Sequence, residues 1–310
     1  MLNEIEAKID KFNPFTNVYG LSRSILALST LLTLLLNDTS IFFRPFAGSN
    51  EYPLCSENSI SLYCLVPNNT IYLEVIRWAS IVILTLVISG WRPRITGVLH
   101  WWVTYSLWGA AIGLDGGDQV TAVFTLLLIP ITLADPRKNH WEQITIQKGH
   151  YIGNKIITLV THKLIRIQVA IIYFHSTIAK LSSEEWINGT AVWYYLQSPM
   201  LGVPHLIEGP IMKLLSTSFV VFPTWGTLIM QSILVLALFA PKKYWKIIFV
   251  FAVLMHEIFA LFLGLVSFSL AMLAILILYL FPLEKNIIFK NNPFLKIKLC
   301  QNISKGGEYR

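Results

Sequence analysis

The chain has 310 residues, 55% of them hydrophobic and 13% charged, with a mean hydropathy of +0.59. A soluble domain carries about 25% charged residues, so a chain this apolar must bury its surface in lipid, and a soluble globular fold is excluded. The net charge is +7, and its Lys and Arg fall between apolar runs, a placement that points to anionic lipid and not to nucleic acid.

Residues 1–20 read as a leader. Leu2, Ile5, Ile9 and Phe12 recur near helical spacing, so residues 2–12 are expected to lie as an amphipathic segment along the inner membrane surface. The leader is mixed in charge, and Asn37-Asp38-Thr39 offers no small-residue cleavage site; no cleavable signal peptide is expected.

Residues 21–282 then read as a single transmembrane domain, an all-α polytopic helical bundle. Eight spans are predicted, at residues 21–37, 71–89, 95–113, 119–134, 166–181, 223–240, 247–263 and 267–282. Periodicity alone does not separate a membrane span from a buried helix, but so many in one chain leave no room for a soluble domain. Residues 38–70 form an outer excursion punctuated by Pro, Asn and Ser, and it holds Cys55 and Cys64. These two thiols are open to oxidation into a disulfide there, or stand as unrelated thiols; Cys300 belongs to the basic tail, 283–310. Asp115-Gly116-Gly117-Asp118 is a tight outer turn, and residues 136–163 are a basic cytoplasmic connection. Residues 182–222 form a long, unusually apolar outer loop whose Trp193-Tyr194-Tyr195 cluster suits the headgroup belt. A partial or re-entrant helix is expected over residues 208–222, roofing an outer vestibule.

Orientation follows from charge. With the N-terminus inside, all but four of the 24 Lys and Arg fall in cytoplasmic segments or, like Arg23 and Arg166, at the cytoplasmic ends of spans; Arg44 and Lys213 lie in outer loops, and Arg77 and Lys180 elsewhere within spans. This positive-inside pattern places both termini in the cytoplasm.

Chemistry concentrates in a few places. Lys180 closes the fifth span, and Tyr173, Ser176 and Thr177 sit seven, four and three residues before it, on neighbouring helix faces. An ionisable residue at the edge of a membrane is costly and marks a functional site. Lys180 is therefore a base or a binder of an anionic group, or else a lysine snorkelling from a helix end. His256 and Glu257 sit within the seventh span and point about 100° apart, so each needs a partner on another helix. Position 260 is Ala, which excludes a zinc-protease signature, and no metal-ligand spacing occurs elsewhere. His100 and His175 read as packing histidines. Glu74 and Arg77 read as a helix pair near the outer interface. No nucleotide-binding glycine loop or nucleophile elbow is present.

The opening Asn13-Pro14-Phe15-Thr16-Asn17-Val18-Tyr19-Gly20-Leu21-Ser22-Arg23-Ser24 resembles the start of SdpB-type proteins. Those are components of bacterial sporulation-delaying-type antimicrobial peptide systems. Gly116-Gly117-Asp118 and the block from Lys180-Leu181 through Trp186 and Gly189 to Ala191 resemble the wider group of horizontally transferred transmembrane domains. That group includes the membrane portion of vitamin K-dependent γ-carboxylase. Met255-His256 through Phe268-Ser269 resembles that enzyme's last helical pair, although the carboxylase carries a histidine at the turn matching Gly116-Gly117-Asp118.

The resemblance implies a multi-pass protein of the bacterial cytoplasmic membrane that matures or exports an antimicrobial peptide at an outer vestibule. Its partners would be the bilayer, a small secreted peptide precursor and an accessory maturation protein. The alternatives are a carboxylase-type enzyme using a lipid quinone, with Lys180 as base, and a protein that binds or transports the toxin. Under these readings Lys180, His256 and Asp118 are the catalytic candidates, converging on one cavity, while Trp186, Gly189, Glu257 and Tyr173 bind substrate.

Overall fold

The computed structural model describes residue 9 and residues 12–45, 52–144, 149–198 and 201–287. The expectations for the amphipathic leader and the basic tail with Cys300 therefore lie almost wholly outside the described residues. In chain order the helices are α1 (Asn17–Leu36), α2 (Thr39–Phe42), α3 (Thr70–Ile88), α4 (Pro93–Ala110), α5 (Gly116–Ala134) and α6 (Ile152–Leu181). There follow α7 (Glu184–Ile187), α8 (Ala191–Leu196), α9 (His205–Leu215), α10 (Val221–Leu236), α11 (Lys242–Leu263) and α12 (Val266–Leu280). A two-residue antiparallel pair, Gln197–Ser198 with Leu201–Gly202, interrupts the run between α8 and α9.

The fold is an all-α polytopic membrane bundle. Among the described residues six helices are long and apolar enough to cross a bilayer: α1, α3, α5, α6, α11, and α10 taken with the short 3-10 turn Ser218–Val220 before it. The two other expected spans fall on α4 and α12. The latter has 15 residues, about 22 Å at 1.5 Å per residue, which is short of a hydrocarbon core about 30 Å thick. Its length carries no penalty because from Ala271 to Leu280 nearly every residue is buried by protein. α12 is the axis of the bundle, enclosed by α1, α5, α6 and α11.

Small polar residues of α1 tie it to this axis. Thr16 donates to the Leu283 carbonyl at 2.5 Å, Ser22 to Ala274 at 2.7 Å and Ser29 to Ser267 at 2.8 Å. Asn17 exchanges two bonds with the backbone of Ile287. Ser22 and Ser29 are seven residues apart and so share one helix face. Hydroxyls satisfied this way let two helices approach closely inside a membrane. A second core joins α1, α3 and α4 to the segment that holds Cys55 and Cys64, which are bonded to each other. Glu74 and Arg77 form an ion pair at 2.7 Å there, and Arg77 also donates to the Leu34 carbonyl.

One boundary departs from expectation. Residues 136–163 do not form a single connection, because α6 begins at Ile152 and runs for 30 residues, about 45 Å. Lys155 is buried, His162 bonds the Leu278 carbonyl, and Arg166 lies over the Trp245 ring at 4.4 Å. These contacts against α11 and α12 extend the helix past any hydrophobic requirement. The long loop departs less: the helix expected over 208–222 starts earlier, at His205, and breaks at Ser216–Thr217.

Candidate functional site

α10 and α11 form a hairpin whose turn lies at residues 237–241. In the half of the hairpin away from that turn, a cavity of about 920 Å³ lies between these helices and α6. Its α11 wall runs from Phe251 to Leu263, and its α10 wall from Pro223 to Gln231. Phe268 and Met272 of α12 close the back, while Trp186, Leu196, Leu215 and Phe219 from the long loop roof it. The loop holds this position through its own small core, in which Leu196, Val203, Leu215 and Val220 pack with Phe262 and Leu263 at the end of α11. The lining is overwhelmingly apolar, as expected of a ligand site with a few placed polar groups.

Those polar groups come from spacing on α6 and from single residues on its neighbours. Lys180 donates to Ser176 Oγ at 2.7 Å, one helical turn back, and its Nζ sits 5.2 Å from the centre of the Trp186 ring, a cation–π contact. Gln231 of α10 reaches the same Ser176 oxygen at 3.2 Å. Seven residues before Lys180, the Tyr173 hydroxyl lies 2.9 Å from His256 Nε2. The His256 ring is held edge-on by Phe259 and Phe268. Two buried atoms of this set have no partner: Gln231 Oε1 and His256 Nδ1.

The structure therefore brings Lys180, Tyr173, Trp186 and His256 to one cavity. It does not bring Asp118, Glu257 or Gly189 into the lining. Asp118 is buried in the N-terminal cap of α5, where Asp115 accepts from the Gly117 and Asp118 amides and Asp118 accepts from the Asp115 amide. This reciprocal cap is a helix-start device, and Ser267 of α12 braces it through Asp115 at 2.8 Å. Glu257 lies on the exposed side of α11 and accepts from Ser269 at 3.0 Å. Gly189 adopts φ +79° in the turn after α7, with Val221 close behind it, a backbone conformation that favours glycine.

Gln231 was absent from the sequence candidates. The signal was available, since an amide in the middle of the apolar run Val221–Leu236 raises the same question as Glu257.

A second polar cluster lies at the opposite end of the bundle. Arg23, at the cytoplasmic end of the first span, is almost fully buried; it donates to Thr96 at 2.6 Å and lies 3.2 Å from His140 Nδ1. His140 Nε2 faces Ser24 at 3.2 Å. With Arg23 donating to Nδ1, the proton of the neutral ring sits on Nε2 and goes to Ser24. Burial, with help from Arg23 and Arg137, pushes the His140 imidazole down to about 2. Arg137 pairs with Asp135, both buried, and also donates to the carbonyls of Thr16, His140 and Glu142. Burial raises the Asp135 carboxyl despite that partner. Most polar atoms of this cluster bond to one another or to nearby backbone, with Arg23 Nε and the neighbouring Tyr19 hydroxyl left open, so it acts as a latch for the segment 135–144.

Comparison with known proteins gives two relatives of nearly the same length. The chain is 52% identical over 292 residues to the uncharacterized protein YitO of Bacillus subtilis (strain 168), covering 93% of this chain and 94% of that one. It is 37% identical over 288 residues to sporulation-delaying protein SdpB of the same organism, covering 93% of this chain and 88% of that one. No family model and no solved structure matches. Both likenesses run over nearly the whole length of this chain and of its relatives. The chain belongs to the family of SdpB and YitO.

Proposed function

We propose that this protein is the integral membrane component of a sporulation-delaying-type antimicrobial peptide system, acting in maturation or export of a small secreted peptide. The observation that supports this reading is the cavity: large, apolar, roofed by the loop 182–222 and marked by a single lysine. Such a chamber suits a segment of apolar chain better than a soluble metabolite. In this reading both termini are cytoplasmic, as the partition of Lys and Arg supports, and the cavity lies on the outer side. Lys180 and His256 are its working residues, with Tyr173 and Trp186 positioning them; Asp118 acts on the site only through the start of α5. An accessory protein supplies protease or energy-coupling activity, for which the chain has no motif.

The test is mass spectrometry of the secreted peptide from cells with and without this protein, and with Lys180→Met, which keeps the apolar stem and removes the charge. Loss of mature peptide in both, with the variant present at normal level in the membrane, supports the reading. Unchanged peptide in amount and mass overturns it. A carboxylase-type role would appear in the same spectra as a peptide lighter by one CO2 when Lys180 is replaced.

A further inference from the structure

Three polar groups that face the cavity hold unused bonding capacity. The Lys180 ammonium bonds only to Ser176 and the face of Trp186, and among the described residues no carboxylate pairs with it. The Gln231 amide gives one atom to Ser176 and leaves the other open. Whichever way the amide is turned, one polar atom remains, a donor in one orientation and an acceptor in the other. His256 spends Nε2 on Tyr173 and leaves Nδ1 without a partner, although the ring is 2% exposed. Open buried atoms also occur away from the chamber, at Arg23, His100 and Asp118 among others, but Gln231 and His256 line it together with an unpaired Lys180 and so are placed to bond an occupant.

The chemistry of that occupant follows from what is missing. It must be apolar over most of its length, to match walls such as Phe251, Met255, Phe259 and Phe262. An anion suits Lys180, since a half-buried cation beside an apolar chamber is stabilised by pairing. An occupant with both donors and acceptors satisfies Gln231 and His256 in either amide orientation and either ring tautomer. An ionised fatty acid has acceptors alone. A peptide has both at every residue. We propose that the cavity binds an apolar peptide segment carrying a carboxylate, with the carboxylate on Lys180 Nζ and a backbone amide group on Gln231.

The half-hairpin geometry supplies an entrance. Phe251, Leu254 and Ile258 line the cavity and are themselves about half exposed, so the chamber is open along α11. A segment already in the bilayer enters without crossing water. The inference names the substrate class for the function proposed above and rests on that reading only for where the peptide comes from.

The test uses purified full-length protein in lipid nanodiscs and short N-acetylated apolar peptides, one with a free C-terminal carboxylate and one with a C-terminal amide. A third, amidated peptide carries a single internal aspartate, and palmitate serves as the lipid arm. Removing a charge-assisted bond from a desolvated site costs roughly tenfold or more in affinity. The free acid is therefore expected to bind about tenfold more tightly than the plain amide. Lys180→Met should erase that difference and Lys180→Arg should keep it, while Gln231→Leu should weaken acid and amide alike. If the aspartate peptide matches the free acid, the carboxylate can come from a side chain; if it matches the plain amide, the site takes a C-terminus. Equal binding of acid and amide overturns the proposal, as does palmitate binding that is tighter than either and depends on Lys180. A protein that binds no peptide yet is required for mature peptide in cells sinks this inference alone. Peptide binding by a protein that cells do not need for mature peptide sinks the functional reading alone.

Discussion

Tyr173 and His256, 83 residues apart in the chain, meet through a 2.9 Å hydrogen bond between the phenol oxygen and Nε2. Both residues are almost completely buried. Tyr173 sits two turns back from Lys180 on α6, about 10 Å along the helix, so the bond links the facing helices α6 and α11 deep in the cavity. It leaves Nδ1 as the open nitrogen of the ring.

Tyr173→Phe removes one partner and leaves His256 with two unsatisfied nitrogens. The expected cost is about 1–3 kcal/mol, read as a lower thermal midpoint in detergent. Adding His256→Phe to Tyr173→Phe should cost less than the sum of the single changes, since both polar groups are then gone. Strictly additive midpoints would show that the bond contributes nothing to the fold.

Gly117 is required by close approach. A Cβ there would lie 2.6 Å from the Phe268 Cα, a backbone atom that cannot swing aside. Gly117→Ala should therefore push the start of α5 off α12, at a cost of about 1–3 kcal/mol. Because Gly116 and Phe268 both line the cavity, the change should also weaken apolar-peptide binding. Wild-type stability and wild-type binding together would show that the two helices part freely.

Cys55 and Cys64 are bonded in the structure, and the charge partition places them outside. A membrane-impermeant maleimide added to intact cells should label them only after reduction. It should not reach Cys300 until the membrane is opened. Closing so short a loop is worth about 2–3 kcal/mol, so Cys64→Ser should lower the thermal midpoint. Labelling of Cys300 from outside would reverse the topology.

His140 gives the latch at residues 135–144 a pH dependence. Its imidazole is held down to about 2 in the folded chain, by burial first and then by Arg23 and Arg137, whereas an unfolded histidine titrates near 6.5. Below about 6.5 the unfolded chain binds the proton and the folded chain does not, so this contribution is present above about 6.5 and is lost as pH falls toward about 2. Asp135 is shifted upward and acts in the opposite sense, but it is common to both proteins when wild type is compared with His140→Gln. The stability difference between the two, measured from pH 7.5 to 4.5, should shrink as pH falls. A difference that stays constant would show that His140 is protonated alike in the folded and unfolded states.

Composition and pattern alone determined the class of this protein. The apolar runs specified an all-α membrane bundle, and each expected span falls on a helix, because lipid forces every span to satisfy its own backbone. Position along α6 determined that Tyr173, Ser176 and Lys180 would lie close to one another, since spacings of three, four and seven are fixed by the helix itself. Tertiary structure alone decided what faces them. Adjacent His256 and Glu257 part company, one to the cavity and one to the outer surface of α11, because the rotation of a helix about its axis depends on which neighbours it packs against. Asp118 and Arg23 were both legible as charges; the cap that Asp118 makes with Asp115 is local, whereas its brace from Ser267 and the buried latch of Arg23 with His140 are set by partners far away in the chain. The choice between a charge that binds and a charge that braces is made by packing across sequence separations that no local pattern records.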